Sequence, residues 1–164
     1  MNKKLFSLII FGIAFGFIEA SVVFYLQGLL HHTYGYINGT YTTLFNLGLI
    51  AFILPKNPIL LTPTLTSIET IREFSTIVML AAISYLSSNT IRQKIGAFLV
   101  SFATWDIFYY IFLKILTGWP KGFMDIDIFF LIPVPWVGPV IAPVIISIML
   151  FDVGSNLYLK GKEV

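Results

Sequence analysis

Four carboxylates fall within or at the opening of apolar runs: Glu19 in the first, Glu69 and Glu73 at the start of the second, and Asp106 midway along the third. A carboxylate at membrane depth is costly unless it is paired, hydrated or protonated, so such positions mark a site by default. Their spacing gathers them. Glu69, Arg72, Glu73 and Thr76 step by three and four residues and share one helical face. Asp106, Tyr110 and Lys114 step by four, with Tyr109 beside them, and form a second polar stripe. Glu19 borders a face of small residues, Gly12-x-x-x-Gly16 followed by Ala20, along which another backbone can approach closely. In lipid such faces turn toward the helix bundle, so Glu19, Glu73 and Asp106 are expected to meet, with Arg72, Tyr109 and Tyr110 orienting a ligand or tuning the acids.

Several chemistries suit that set. Unmatched carboxylates can bind, or pass across the membrane, a cation, a proton or a small polar solute. Glu19, Glu73 and Asp106 with tyrosine oxygen would also suit a hard divalent cation. Membrane-embedded catalysis on a lipid-like substrate is a second reading, with Glu73 or Asp106 as general base and Arg72 and Lys114 holding an anionic headgroup. A non-catalytic subunit, whose buried pairs specify assembly with copies of itself or a larger membrane complex, is a third. Two residues have ordinary explanations. Glu69 can cap its helix through the pattern Thr66-Ser67-Ile68-Glu69, and Lys114 can snorkel to the interface. Asp125 and Asp127 resemble an acidic pair that holds a metal over phosphate, but two residues without context read better as a hydrated loop.

Other chemistries lack support. The chain has no cysteine, which excludes disulfides, thiolate nucleophiles and cysteine-ligated clusters. His31 and His32 are adjacent and lack the spacing that puts two ligands on one helical face, so no haem or di-iron signature is present. No nucleophile elbow, P-loop or dinucleotide fingerprint occurs. A net charge of +2 with scattered basic residues gives no basic patch for nucleic acid. Asn38-Gly39-Thr40 matches a glycosylation acceptor, though an Asn-Gly turn is the better reading.

The elements that must position these residues are membrane helices. Of 164 residues, 57% are hydrophobic and 11% charged, against about 25% charged in soluble domains; mean hydropathy is +0.90. About 20 apolar residues cross the hydrocarbon core. Four segments reach that length, 5–30, 67–88, 95–117 and 137–159, the last interrupted near its start by Pro139 and Pro143. The first continues too far past Lys3 and Lys4 to read as a cleaved leader. The stretches 44–54 and 123–136 are short or broken by proline and aspartate, and are expected to be interfacial or re-entrant. The expectation is a single all-α domain over 1–164, a polytopic bundle of four spanning helices in the lipid bilayer.

Charge bias orients it. With four spans and a cytoplasmic N-terminus, Lys3, Lys4, Arg92, Lys94, Lys160 and Lys162 lie inside and Lys56 and Lys121 outside. A fifth span at 44–54 would equalise the two sides, so the positive-inside rule favours four spans in the cell membrane with both termini cytoplasmic. The acids then cluster in the outer half of the bundle.

The segments Glu69-Thr70-Ile71-Arg72-Glu73-Phe74-Ser75-Thr76-Ile77-Val78-Met79-Leu80, Trp105-Asp106-Ile107-Phe108-Tyr109-Tyr110, Gly118-Trp119-Pro120 and Ile132-Pro133-Val134-Pro135-Trp136 resemble a group of small prokaryotic multi-pass membrane proteins. The resemblance covers the second to fourth spans. It implies a membrane location and no activity, and the 44–54 stretch departs from it.

Overall fold

The computed structural model describes residues 3–30, 41–57 and 62–161. His31, His32, the Asn38-Gly39-Thr40 sequence and Lys162 lie outside the described residues. Four helices dominate: α1 (Lys3–Leu30), α2 (Pro63–Ser87), α3 (Ile91–Thr117) and α4 (Ile141–Lys160).

Local sequence sets the helix ends. Thr62 caps α2, its hydroxyl accepting the Leu65 amide at 3.1 Å, and Pro63 follows at the first helical position, where its missing N–H costs nothing. The cap expected around Thr66 and Glu69 therefore sits one turn too late. A reciprocal capping box does occur at α3: Thr90 accepts the Gln93 amide while the Gln93 side chain accepts from the Thr90 backbone. Gly118, at φ 75°, ends α3 in the left-handed conformation that glycine adopts without strain.

Only α2 and α3 are joined by a short connection, 88–90; each of the other two links carries a β-hairpin. Leu5 and Leu8 pack with Ala97, Val100 and Tyr158 at one end of the bundle, and Ala20 and Val23 pack with Leu113 at the other. α3 is the common spine. A Cβ on Gly12 would meet Thr104 Cβ at 2.8 Å, and one on Gly16 would meet the Trp105 carbonyl at 2.9 Å, so the small-residue face of α1 lies directly on α3. α4 approaches as closely from another side, since a Cβ on Gly96 would meet the Gly154 carbonyl at 2.6 Å.

An antiparallel sheet accompanies the helices and corrects the all-α expectation. Strands β1 (Tyr41–Asn46) and β2 (Ala51–Pro55) occupy the segment 44–54 read as interfacial or re-entrant, and β3 (Ile126–Phe130) and β4 (Trp136–Pro139) occupy that at 123–136. Two hairpins join through a β2–β4 pairing to give the order β1-β2-β4-β3. Asn46 Oδ1 accepts the Gly48 amide at 2.8 Å and closes the first hairpin turn. Short apolar runs do not reveal their period, and the pairing that stabilises these lies some eighty residues away along the chain. The fourth apolar run is divided accordingly. Its first residues, Pro139 among them, belong to β4, and Pro143 falls in the first turn of α4, where it weakens no interior hydrogen bond.

By length and composition, three helices suffice to cross a membrane: Lys3–Gly28, Ile91–Thr117 and Ile141–Lys160. α2 is less apolar, yet its exposure is inverted relative to a soluble helix. Glu69, Thr76 and Ser84 are buried, while Ile68, Ile71, Phe74 and Leu86 are exposed.

Candidate functional site

α1, α2, α3 and strand β3 enclose a small cavity at the half of the bundle nearer the sheet. Glu19, Glu69, Arg72, Glu73, Asp106, Tyr109 and Tyr110 line it. About 30 Å³ is open to the centre of a water molecule, where roughly 10–15 Å³ suffices for one water. The guest it suits is one of a few heavy atoms.

Arg72 organises one wall. One turn earlier on the same helix, Glu69 accepts from Arg72 Nε at 2.9 Å through Oε2 and from Nη2 through Oε1. Arg72 Nη1 donates to Glu19 Oε1 and so joins α2 to α1. Glu69 is 4% exposed with both oxygens engaged. It is neither a helix cap nor a bystander: it fixes the guanidinium by a bidentate contact, the strongest geometry available to such a pair.

The other acids each reach a different element. Glu73 Oε2 accepts the Leu131 backbone amide at 2.7 Å, tying α2 to the β3–β4 connection. Asp106 Oδ2 accepts the Ser147 hydroxyl at 2.8 Å, tying α3 to α4. Asp127, 1% exposed on β3, accepts the Tyr110 hydroxyl at 2.7 Å and the Ile128 amide at 2.9 Å. Burial pushes its carboxyl up to about 7, against the lowering influence of both donors. The hydrated loop expected for Asp125 and Asp127 is thus half right. Asp125 closes a surface turn by accepting the Lys121 and Gly122 amides, whereas Asp127 belongs to the interior.

Three of the acids are incompletely satisfied. Among the described residues, Glu19 Oε2, Glu73 Oε1 and Asp106 Oδ1 accept no hydrogen bond. The structure therefore brings Glu19, Glu73 and Asp106 to one cavity and leaves each with a free oxygen, although Glu19 and Asp106 are only 7% and 8% exposed. Arg72 cannot neutralise them all, being shared already between Glu19 and Glu69.

Lys114 takes no part. Its ammonium donates to the Gly118 and Pro120 carbonyls, at 3.0 and 2.5 Å, beyond the end of α3. The Asp106–Tyr110–Lys114 stripe ends at Tyr110 because the Gly118 and Pro120 carbonyls just past α3 take the Lys114 ammonium. Among the described residues no three of His, Cys, Asp and Glu group closely enough to hold a metal ion.

Sequence reasoning missed the aromatic wall. Trp105, Phe129 and Phe130 line the cavity, and Trp105 packs against Phe15, Phe102 and Phe130. The Trp105 indole nitrogen is buried without a partner among the described residues. Trp105 directly precedes Asp106, which was the available signal; Phe129 and Phe130 reach the site only through the β3 pairing.

No family model matches the chain, and no similar curated protein or solved structure was found.

Proposed function

We propose that this chain is a multi-pass membrane protein that binds a small cation, a proton included, in the cavity bounded by Glu19, Glu73 and Asp106. The observation that carries this reading is the free oxygen on each of those three carboxylates, around a cavity whose one arginine is already engaged. Unpaired negative charge in a low-dielectric site attracts a cation more strongly than anything else that could fill it.

The membrane setting rests on four helices rather than three. α2 joins the three apolar helices as a span because its polar residues turn inward and its large apolar ones turn outward, the pattern of a helix solvated by lipid. The ends of the bundle carry different charge. Lys3, Lys4, Arg92, Lys94 and Lys160 belong to the end away from the sheet, and Lys56, Lys114 and Lys121 to the other. The positive-inside rule makes the first end cytoplasmic, so the cavity and sheet belong to the outer side of the cell membrane.

Binding is favoured over conduction. Toward the cytoplasmic end the interior is closed by Leu5, Leu8, Ala97, Val100 and Tyr158 and by the Gly96–Gly154 contact. The cavity would admit only a small part of a lipid-like substrate.

The test is a cation titration of the purified full chain with Trp119 and Trp136 replaced by Phe, followed through the fluorescence of Trp105 at the cavity wall. Saturable binding of a cation is expected, with Glu73→Gln and Asp106→Asn each weakening it. Identical responses from wild type and both folded variants would overturn the proposal.

A further inference from the structure

We infer that the guest is a proton, held by Glu73 and Asp106 together with a small cluster of ordered water in the cavity. This rests on the cation-binding reading above and names the cation.

The wall mixes a donor with its acceptors. Trp105 lines the cavity at 5% exposure, and its indole N–H is buried without a partner among the described residues. A buried donor in a native structure normally has an acceptor. A metal ion or an organic ammonium offers it none, whereas water accepts from an indole and donates to a carboxylate. Water also bridges polar groups that do not meet at one point. That suits acids of which no three group closely enough to hold a metal ion among the described residues. The volume agrees. About 30 Å³ open to water centres takes roughly two molecules at about 10–15 Å³ each. Two waters are too few to complete the six or more oxygens that a divalent cation needs around it.

Charge points the same way. The ionisable groups around Glu73 and Asp106 are Glu19 on α1, Glu69 and Arg72 on α2, Tyr109 and Tyr110 on α3, and Asp127 on β3, bonded to Tyr110. α4 contributes the Ser147 hydroxyl, and the β3–β4 connection contributes the Leu131 amide. Arg72 is the one cation among these groups, and it is divided between Glu19 and Glu69. Glu73 and Asp106 therefore each hold one neutral donor and no cationic partner. Charges in that setting are costly to bury. A proton on Glu73 Oε1 or Asp106 Oδ1 removes the charge and turns an unused acceptor into a donor to water. Nothing else is exchanged. Arg72 and Glu73 are only half-buried, so the proton reaches the cavity from the α2 side.

Infrared difference spectroscopy of the purified full chain in nanodiscs tests this, with pH stepped from about 4 to about 9 to span carboxyl titration. The carbonyl stretch of protonated carboxyls should vanish as pH rises. One component should be missing from Glu73→Gln and another from Asp106→Asn, and Asp127→Asn identifies the component of that residue. Ser147→Ala removes only the hydroxyl on Asp106 and should shift the midpoint of the Asp106 component alone. Should Asp106→Asn fail to fold, Ser147→Ala still assigns that component. A water O–H band sensitive to heavy-oxygen water should accompany the protonated state and shift in Trp105→Phe. Exchange of sodium, potassium, magnesium and calcium chlorides at constant ionic strength should leave every midpoint unchanged.

A metal ion that displaces the carboxyl protons by binding in their place would overturn the proton assignment and leave the cation site standing. Absence of protonated Glu73 and Asp106 at every pH, with no metal bound, would overturn both. Titrating carboxyls without a heavy-oxygen-sensitive water band would overturn the water-held proton.

Discussion

The Tyr110 hydroxyl donates to Asp127 across 2.7 Å, joining the middle of α3 to the edge strand β3. Both residues are buried, at 6% and 1% exposure. This bond holds the second hairpin over the cavity, because β3 also contributes Ile128, Phe129 and Phe130 to its lining. Tyr110→Phe should lower stability by about 1–3 kcal/mol, the cost of stranding a buried hydrogen-bonding group. Thermal melting of Tyr110→Phe, Asp127→Asn and the double variant should give a non-additive cycle, as expected of groups in direct contact.

The same carboxyl makes stability depend on pH. Asp127 is held up to about 7 by burial, from an ordinary value of 3.8. A carboxyl raised on folding binds its proton more tightly in the folded state, so its contribution is complete below the unfolded value. That contribution is lost as pH rises through the folded value. The melting temperature should fall as pH is raised from about 4 to about 7 and then level, as Asp127 follows this linkage. Asp127→Asn should flatten the descent. A melting curve with the same pH slope in wild type and variant would count against the assignment.

Glu73 offers a separation of charge from geometry. Glu73→Gln keeps an oxygen for the Leu131 amide and removes the negative charge, so the fold should survive while cation binding weakens by about tenfold or more, the value of one charge-assisted bond. Glu73→Ala should also release the amide. Hydrogen exchange followed by mass spectrometry should show faster exchange in the peptide containing Leu131 for the alanine variant than for the glutamine variant.

Glycine packing on α3 predicts a contrast. Gly96→Ala would force a methyl against the Gly154 carbonyl at 2.6 Å and should cost about 1–3 kcal/mol through overpacking. Gly28 has nothing within 4 Å of an added Cβ. Gly28→Ala should therefore be neutral or stabilising by up to about 1 kcal/mol, because alanine is the better helix former. Thermal melting of the two single variants in one detergent compares them directly.

Topology is testable because the chain has no cysteine. A single cysteine at Lys121 should react with an impermeant maleimide added to intact cells, and one at Arg92 should react only after the membrane is opened. Labelling of the position 92 variant in intact cells would contradict the four-span orientation.

The acids were legible because depth makes charge expensive. Glu19 and Asp106 stand out as acids within apolar runs and Glu73 as one of a polar face opening another, and helical spacing suffices to place Arg72 and Tyr110 beside them. Their partners were not legible. The Leu131 amide and Ser147 reach the site from other segments, and nothing in their local sequence differs from ordinary loop or helix positions. Glu69 was misread because the start of α2 was set at Thr66, whereas Thr62 and Pro63 begin the helix a turn earlier. That shift carries Glu69 from the helix end into the interior. Asp127 lay in a run crowded with proline and acid that resembled a solvated loop, and only the pairing of β3 with β4 shows it to be buried.

The spine formed by α3 has a mechanical consequence. α1 and α4 lie against it backbone to backbone through glycine, so neither can rotate without collision. α2 has no comparable glycine seam in α1 or α4, and near the cavity it is moored by the Arg72–Glu19 ion pair and by the Glu73–Leu131 bond. Both moorings end on carboxylates that border the guest. Occupancy of the cavity would therefore be felt first at the side-chain contacts of α2, which also include Leu80 against Phe15 and Trp105, and last at the glycine seams of α3.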